Sequence, residues 1–247
     1  MRALEFAERF IFVRKCAGCG ELIGYEGRED AFCPSCRVSW ERAKANGCAL
    51  CARSMIECDC MPQKLSKAGM PFLKKLVAYR ASEADKAQNR VIYFIKRNKN
   101  KRVAAFLARQ LSEKLGEILS ELERDVSETV LIYLPRSIGA RAEYGFDQSE
   151  LICRELSRIT GVKMVDAILR TRRRASEQKA LNASQRGKNA VGMFVLNKEK
   201  LADIEGKTVV LFDDVVTSGS SMAEALKLLR KAKVSEIYGL CIAFSEM

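Results

Sequence analysis

Eight of the ten cysteines fall between Cys16 and Cys60, grouped in short-spaced pairs. Cys16 and Cys19, Cys33 and Cys36, and Cys48 and Cys51 are CxxC pairs, whereas Cys58 and Cys60 are one residue closer. A CxxC turn brings two thiolates within reach of one ion, and two such turns complete a tetrahedral sulfur site with bonds of about 2.3 Å to zinc. Zinc suits four thiolates because it is borderline-soft and imposes no d-electron geometry. The simplest assignment sets one ion on Cys16, Cys19, Cys33 and Cys36, and a second on Cys48, Cys51, Cys58 and Cys60. A crossed pairing of the first and third turns is an alternative, and an iron–sulfur cluster or redox thiols are the competing chemistries. Four cysteines per ion leave no open coordination position, so such zinc would scaffold or contact macromolecules. The chain has no histidine, which excludes mixed Cys/His sites and the commonest acid–base side chain.

The second chemical signal lies near the other end. Val209, Val210, Leu211 and Phe212 form a short apolar strand followed by Asp213 and Asp214, then Val215, Val216, Thr217, Ser218, Gly219, Ser220 and Ser221. Ligands of open α/β sheets bind at the C-terminal ends of strands. A small-residue turn that opens a helix offers several N–H groups and hydroxyls to one phosphate, and the helix adds roughly half a positive charge there. Two carboxylates beside an anion site would repel it unless a neutral or cationic group lay between. A ribose fits, with hydroxyls on Asp213 and Asp214 and its 5′-phosphate on the turn. Ser221 and Glu224 are spaced as a capping box for the following helix.

Positioning these groups requires a sheet with helices around it. Helical periodicity is expected from about residue 82, including Val91, Ile92, Phe94 and Ile95, then over 103–123 and 146–160. Strands are expected at 130–134, 209–212 and 237–243, with a helix over 221–232 between the last two. Strand and helix in alternation argue for an α/β fold, a parallel sheet flanked by helices. The cysteine-rich residues 1–62 form a separate small unit and 63–81 read as a linker or irregular arm. Residues 82–247 are the α/β domain. Residues 170–189 read as a long polar loop, of the kind that is usually functional or disordered.

At 247 residues with 48% apolar and 30% charged residues, the chain suits a soluble one- or two-domain protein. It lacks an apolar run of about 20 residues for a spanning helix and a recognisable signal sequence, so a cytoplasmic location is expected. A net charge of +12 favours polyanionic partners. Basic residues concentrate at Lys96, Arg97, Lys99, Lys101 and Arg102, and at Arg170, Arg172, Arg173, Arg174, Lys179, Arg186 and Lys188. These clusters can close over a diphosphate, follow a nucleic-acid backbone, or serve only as solvated surface. Aromatic residues are sparse nearby, so no stacking platform for single strands is evident.

The 209–221 string resembles the phosphoribosyl diphosphate signature of type I phosphoribosyltransferases. The wider chain resembles the ComF family of competence-associated proteins, which has a double zinc ribbon first. Further matches are Tyr79, Ile95 and Lys96; Leu134, Pro135, Arg136 and Ser137; Gly145, Phe146, Asp147 and Gln148; and Gln178, Leu181, Arg186, Asn189 and Phe194. Asp147 stands where Asn is usual, Tyr144 where Arg is common and Ser137 where His is frequent. The resemblance implies that Asp213 and Asp214 hold ribose hydroxyls as the catalytic pair, and that Thr217, Ser218, Gly219, Ser220 and Ser221 take the 5′-phosphate. It places Pro135, Arg136 and Ser137 at the diphosphate, with Mg²⁺ as cofactor. Three roles follow from it: a phosphoribosyltransferase with an unknown acceptor, a single-stranded-DNA-handling protein with phosphoribosyl diphosphate as regulator, or a base-salvage enzyme. Its implied setting is DNA uptake in natural competence, with competence proteins as candidate partners.

Overall fold

The structure, a computed structural model, describes residues 14–24, 30–83, 86–171 and 192–245. β1 (Arg14–Lys15) pairs antiparallel with β2 (Leu22–Ile23), and the turn between them carries Cys16 and Cys19. α1 (Pro34–Ala45) begins directly after Cys33. Its first residue is a proline, whose missing N–H would have had no helical partner. Trp40 on α1 is fully buried. Its ring centroid lies 5.7 Å from that of Phe32 and 5.8 Å from that of Phe106, with Phe32 and Phe106 edge to face at 5.2 Å. Trp40 Nε1 and Lys44 Nζ both donate to Gln110 Oε1, at 3.3 and 2.8 Å. The first cysteine segment therefore shares its core with the helices behind the main sheet.

Residues 63–81, expected as a linker or arm, contain α2 (Gln63–Lys67), β3 (Leu73–Lys74) and β4 (Val77–Tyr79). Both strands pair in parallel with β10 (Glu236–Ser245), so this stretch edges the sheet. Strands of two and three residues, broken at Lys75 and Leu76, leave too little alternation for periodicity to reveal. α3 (Ala87–Arg97) and α4 (Lys101–Glu121) follow, and Asn100 caps α4 by accepting from Val103 N at 3.1 Å. The basic 96–102 run thus straddles a helix break.

The remaining elements are β5 (Thr129–Tyr133), α5 (Ile138–Tyr144), α6 (Gln148–Thr160), β6 (Lys163–Met164), β7 (Ile168–Arg170), β8 (Phe194–Leu196), β9 (Thr208–Val216) and α7 (Ser220–Lys231), which leads into β10. The sheet order is β3, β10, β9, β5, β6, with β4 also on β10, and every pairing is parallel. β7 and β8 form a separate antiparallel pair. The sheet is apolar on both faces, as parallel sheets covered on both sides are. Phe212 and Leu240 pack with α3, α4 and α6 residues, whereas Leu211 and Cys241 pack with α7 residues and with Cys48 and Cys58. This is the expected α/β class. No helix among the described residues is long and apolar enough to cross a membrane.

From β5 the chain passes through α5 and α6 to β6 on one side, and from β9 through α7 to β10 on the other. The connections diverge between β5 and β9, and such a switch point opens a crevice at the C-terminal strand ends.

Candidate functional site

β9 is longer than its apolar segment suggests, running through both acids to Val216. Beyond Phe212 it has left β5 but stays in register with β10, pairing Asp213 with Cys241 and Val216 with Phe244. Backbone pairing to a buried neighbour holds these residues extended whatever their side chains. Because side chains alternate along a strand, Asp213 and Asp214 point to opposite faces of the sheet.

Asp213 lines a hollow of about 50 Å³ together with Val215, Val216, Thr217, Ser218, Gly219, Ser220, Ser221 and Met222. A water's share of liquid volume is about 30 Å³, so the hollow is on the scale of a single small oxyanion. Burial, reinforced by the neighbouring Asp214 charge, raises the Asp213 carboxyl well above the ordinary carboxylate range, against the pull of Lys96. Asp214 is buried on the other face. Its Oδ2 accepts from Gln148 Nε2 at 2.8 Å and pairs with Lys96 Nζ at 3.2 Å. Gln148 Oε1 is buried with no partner among the described residues.

α7 begins at Ser220 after Gly219, which has φ +71° and makes no side-chain cap bond. The expected capping box is absent. Glu224 Oε1 instead accepts from Met193 N at 2.8 Å, tying α7 to the segment before β8. A tertiary donor has taken the carboxylate, leaving the first N–H groups of α7 open toward the turn.

On the β5 side of the crevice, Pro135 is buried, Arg136 half-buried and Ser137 exposed. Ser137 caps α5 through Ala140 N at 3.2 Å. Arg136 N donates to Asp147 Oδ2 at 2.8 Å, and its guanidinium Nη1 donates to Lys96 O and Phe146 O at 3.1 and 3.3 Å. The same guanidinium sits over the Tyr144 ring at 4.9 Å. It is therefore oriented by protein groups, although its five donors exceed these contacts. Asp147 caps α6 through Ser149 N and Glu150 N, so an acid in place of the usual Asn has a local structural role. Arg170 Nη1 reaches Pro135 O at 3.3 Å. The other basic positions of that loop, Arg172, Arg173, Arg174, Lys179, Arg186 and Lys188, and the matched Gln178, Leu181 and Asn189, lie outside the described residues.

The eight N-terminal cysteines form two clusters, Cys16, Cys19, Cys33 and Cys36, and Cys48, Cys51, Cys58 and Cys60, with the sulfurs of each within 4.8 Å of one another. Four ligands at about 2.3 Å from a tetrahedral centre stand about 3.8 Å apart. Cys19 and Cys33 are 3.7 Å apart and Cys51 and Cys58 3.5 Å. Backbone amides turn toward the sulfurs, Gly18 N and Cys33 N to Cys16 Sγ at 3.3 and 3.2 Å, and Cys60 N to Cys58 Sγ at 3.3 Å. A Cβ on Gly18 would stand 2.7 Å from Cys36 Sγ, so the first knuckle needs its glycine. Both clusters fit a metal ion and are compatible with zinc, including the one with the shortened fourth pair.

Sequence reasoning did not assign the roles of Lys96 and Gln148 at Asp214, nor the approach of Lys64 to the turn, whose Nζ donates to Ser220 Oγ at 2.8 Å. Lys96 and Gln148 were visible as positions matched to the family, and Lys96 also as one charge in a basic run, but without a role at Asp214. Lys64 gave no signal, because 156 residues separate it from its partner.

The phosphoribosyl transferase domain family matches residues 147–245. Competence protein F of Haemophilus influenzae is 31% identical over 134 residues, covering 51% of this chain and 58% of that protein. The DNA utilization protein YhgH of Escherichia coli is 37% identical over 100 residues, covering 39% of this chain and 42% of that protein. The chain thus spans about half the length of these two relatives. Competence protein ComFC of Streptococcus pneumoniae is 23% identical over 235 residues, covering 90% and 96% of the two chains. With its cysteine clusters ahead of a parallel sheet that carries a phosphoribosyl transferase domain, the chain is a homologue of competence protein F, YhgH and ComFC, in the ComF arrangement that its sequence resembles.

Proposed function

We propose that the chain binds phosphoribosyl diphosphate with Mg²⁺ across the C-terminal ends of β5 and β9, in the setting of DNA uptake. The observation that carries this reading is the hollow in which Asp213 and the small residues 217–221 face the same space. The ribose hydroxyls donate to Asp213, the 5′-phosphate takes the open N–H groups of α7, and the diphosphate lies toward Arg136. Mg²⁺ would neutralise the diphosphate as a leaving group. Transfer to an acceptor is the further step within this reading. Positioning and electrostatics can supply most of such catalysis, so the lack of histidine is no obstacle.

Calorimetric titration of the full chain with phosphoribosyl diphosphate and Mg²⁺ tests it. Saturable one-site binding that needs the divalent ion is expected. Absence of heat and of any thermal stabilisation at millimolar ligand would end the reading.

A second reading, single-stranded DNA handling, is favoured by one surface. Lys15, Arg90, Arg97, Tyr93 and Phe94 line a hollow of about 320 Å³ beside the first cysteine knuckle, and Tyr93 is 38% exposed. Basic groups with an exposed ring are what a backbone-tracking, base-stacking groove requires. Tyr93 and Phe94 directly precede the 96–102 basic run in the sequence, and the fold sets them beside Lys15 and the first cysteine knuckle. Tyr93→Ala is expected to weaken oligothymidine binding about tenfold in a fluorescence anisotropy titration at low salt, with affinity falling steeply as salt rises. Salt-insensitive binding, or none, would refute it.

A further inference from the structure

The second cysteine cluster and the 217–221 turn are joined by a short stretch held from both sides. Only Met61, Pro62 and Gln63 separate Cys60 from Lys64. Lys64 Nζ donates to Ser220 Oγ at 2.8 Å, and Ser220 Oγ lies 2.9 Å from Ser218 Oγ. The next residue, Leu65, is fully buried beneath the turn. Its Cγ is 2.7 Å from the place a Cβ on Gly219 would take, and Gly219 has φ +71°, so conformation and packing both demand glycine there. At the far end of α7, Arg230 Nη2 donates to Gly69 O at 3.0 Å. α2 is thereby fastened along the helix that starts at the turn.

The cysteine end of the stretch is held as firmly. Lys75 is 1% exposed. Its Nζ donates to Cys58 O at 2.6 Å, Cys60 O at 2.7 Å and Leu73 O at 3.2 Å, which employs all three ammonium protons. Buried charges are normally paired, and four thiolates around a divalent ion carry a net charge of minus two. The carbonyls that hold Lys75 belong to the Cys58 and Cys60 turn itself. Lys74 joins Asp59, at 3.1 Å, to Glu121 of α4, at 2.7 Å. The Cys58 to Gly69 stretch is thus clamped to β3 and the loop after it by two lysines, and to α7 by Lys64, Leu65 and Gly69.

We infer that Lys64 is an anion-binding residue of the turn, delivered by the second cysteine cluster, and that metal held by Cys48, Cys51, Cys58 and Cys60 raises the affinity of the turn for a phosphorylated ribose. The inference rests on the reading that this turn takes a phosphate. Lys64 adds a cation to a turn otherwise made of N–H groups and hydroxyls, and Leu65 packs against the Gly219 backbone from below. Loosening the cluster releases both. Linkage is reciprocal, so bound ligand must raise the affinity of this cluster for its metal.

Two measurements on the zinc-loaded full chain test the inference. Lys64→Ala is expected to weaken phosphoribosyl diphosphate about tenfold in calorimetry, with zinc content and circular dichroism unchanged, while Lys64→Arg keeps most of the affinity. Zinc partition to a chromogenic chelator, titrated to equilibrium, should show two steps. Ligand should raise the zinc affinity of one of them severalfold in the wild type and less in Lys64→Ala. Wild-type affinity in Lys64→Ala, or zinc affinity indifferent to ligand, overturns the inference and leaves the phosphate-binding turn standing. Failure of the wild type itself to bind removes both.

Discussion

Asp213→Asn is expected to weaken phosphoribosyl diphosphate binding by two to three orders of magnitude, whereas Asp214→Asn chiefly lowers stability. Asp213 is the acid that shares a hollow with the turn. Hydrogen bonds to an ionised acceptor are worth about 1.5–3 kcal/mol each, so losing the charge beneath two ribose hydroxyls forfeits about 3–4 kcal/mol, or roughly 10²–10³ in affinity. Asp214 is engaged with Gln148 and Lys96 on the opposite face. Its amide variant weakens a partly screened pair and should lower the thermal midpoint by a few degrees. Calorimetry and thermal melts on the two variants separate the roles, and equal affinity losses would show that both acids face the ligand.

The pH dependence of binding follows from the same carboxyl. Burial and the Asp214 charge raise Asp213 well above the usual carboxylate range. Ligand hydroxyls require the ionised form, so affinity falls as pH is lowered toward that raised value, beginning above the pH at which an exposed aspartate would protonate. Asp213→Asn should flatten this limb.

Stripping metal from the chain is expected to unfold the N-terminal segment and to lower the thermal midpoint of the remainder. Four-cysteine zinc sites contribute apparent binding free energies of about 10–16 kcal/mol, comparable with the total stability of about 5–15 kcal/mol of an ordinary domain. The loss reaches beyond the cysteines. Phe32 and Trp40 pack on Phe106 of α4, and Cys48 and Cys58 share a core with Leu211 and Val216 of β9. Hydrogen exchange with and without a strong chelator should show lost protection in α1 and also in α4 and around β9. Loss confined to the cysteine segment would mean that the shared cores contribute little. An unchanged melting curve after complete metal removal would exclude a structural metal.

Much of this protein follows from local chemistry that the chain carries in order. Each CxxC turn specifies a pair, because thiolates three positions apart reach a common ion and neighbouring glycines let the backbone turn, whereas the fold decided which pairs share a cluster. The fully apolar 209–212 and 237–243 runs specify buried parallel strands, and the small residues after Asp214 specify a turn into a helix. Non-local pairing decided the rest. β10 holds β9 extended through Asp213 and Asp214 and so turns the two acids to opposite faces, although they adjoin in sequence. Met193 N takes Glu224 from its cap, and β10 recruits 73–79 as strands too short to leave a pattern. Lys64 meets Ser220 across 156 residues where Leu65 fills the space that Gly219 leaves open. Those contacts depend on which distant surfaces the fold brings together, and no window along the chain contains both partners.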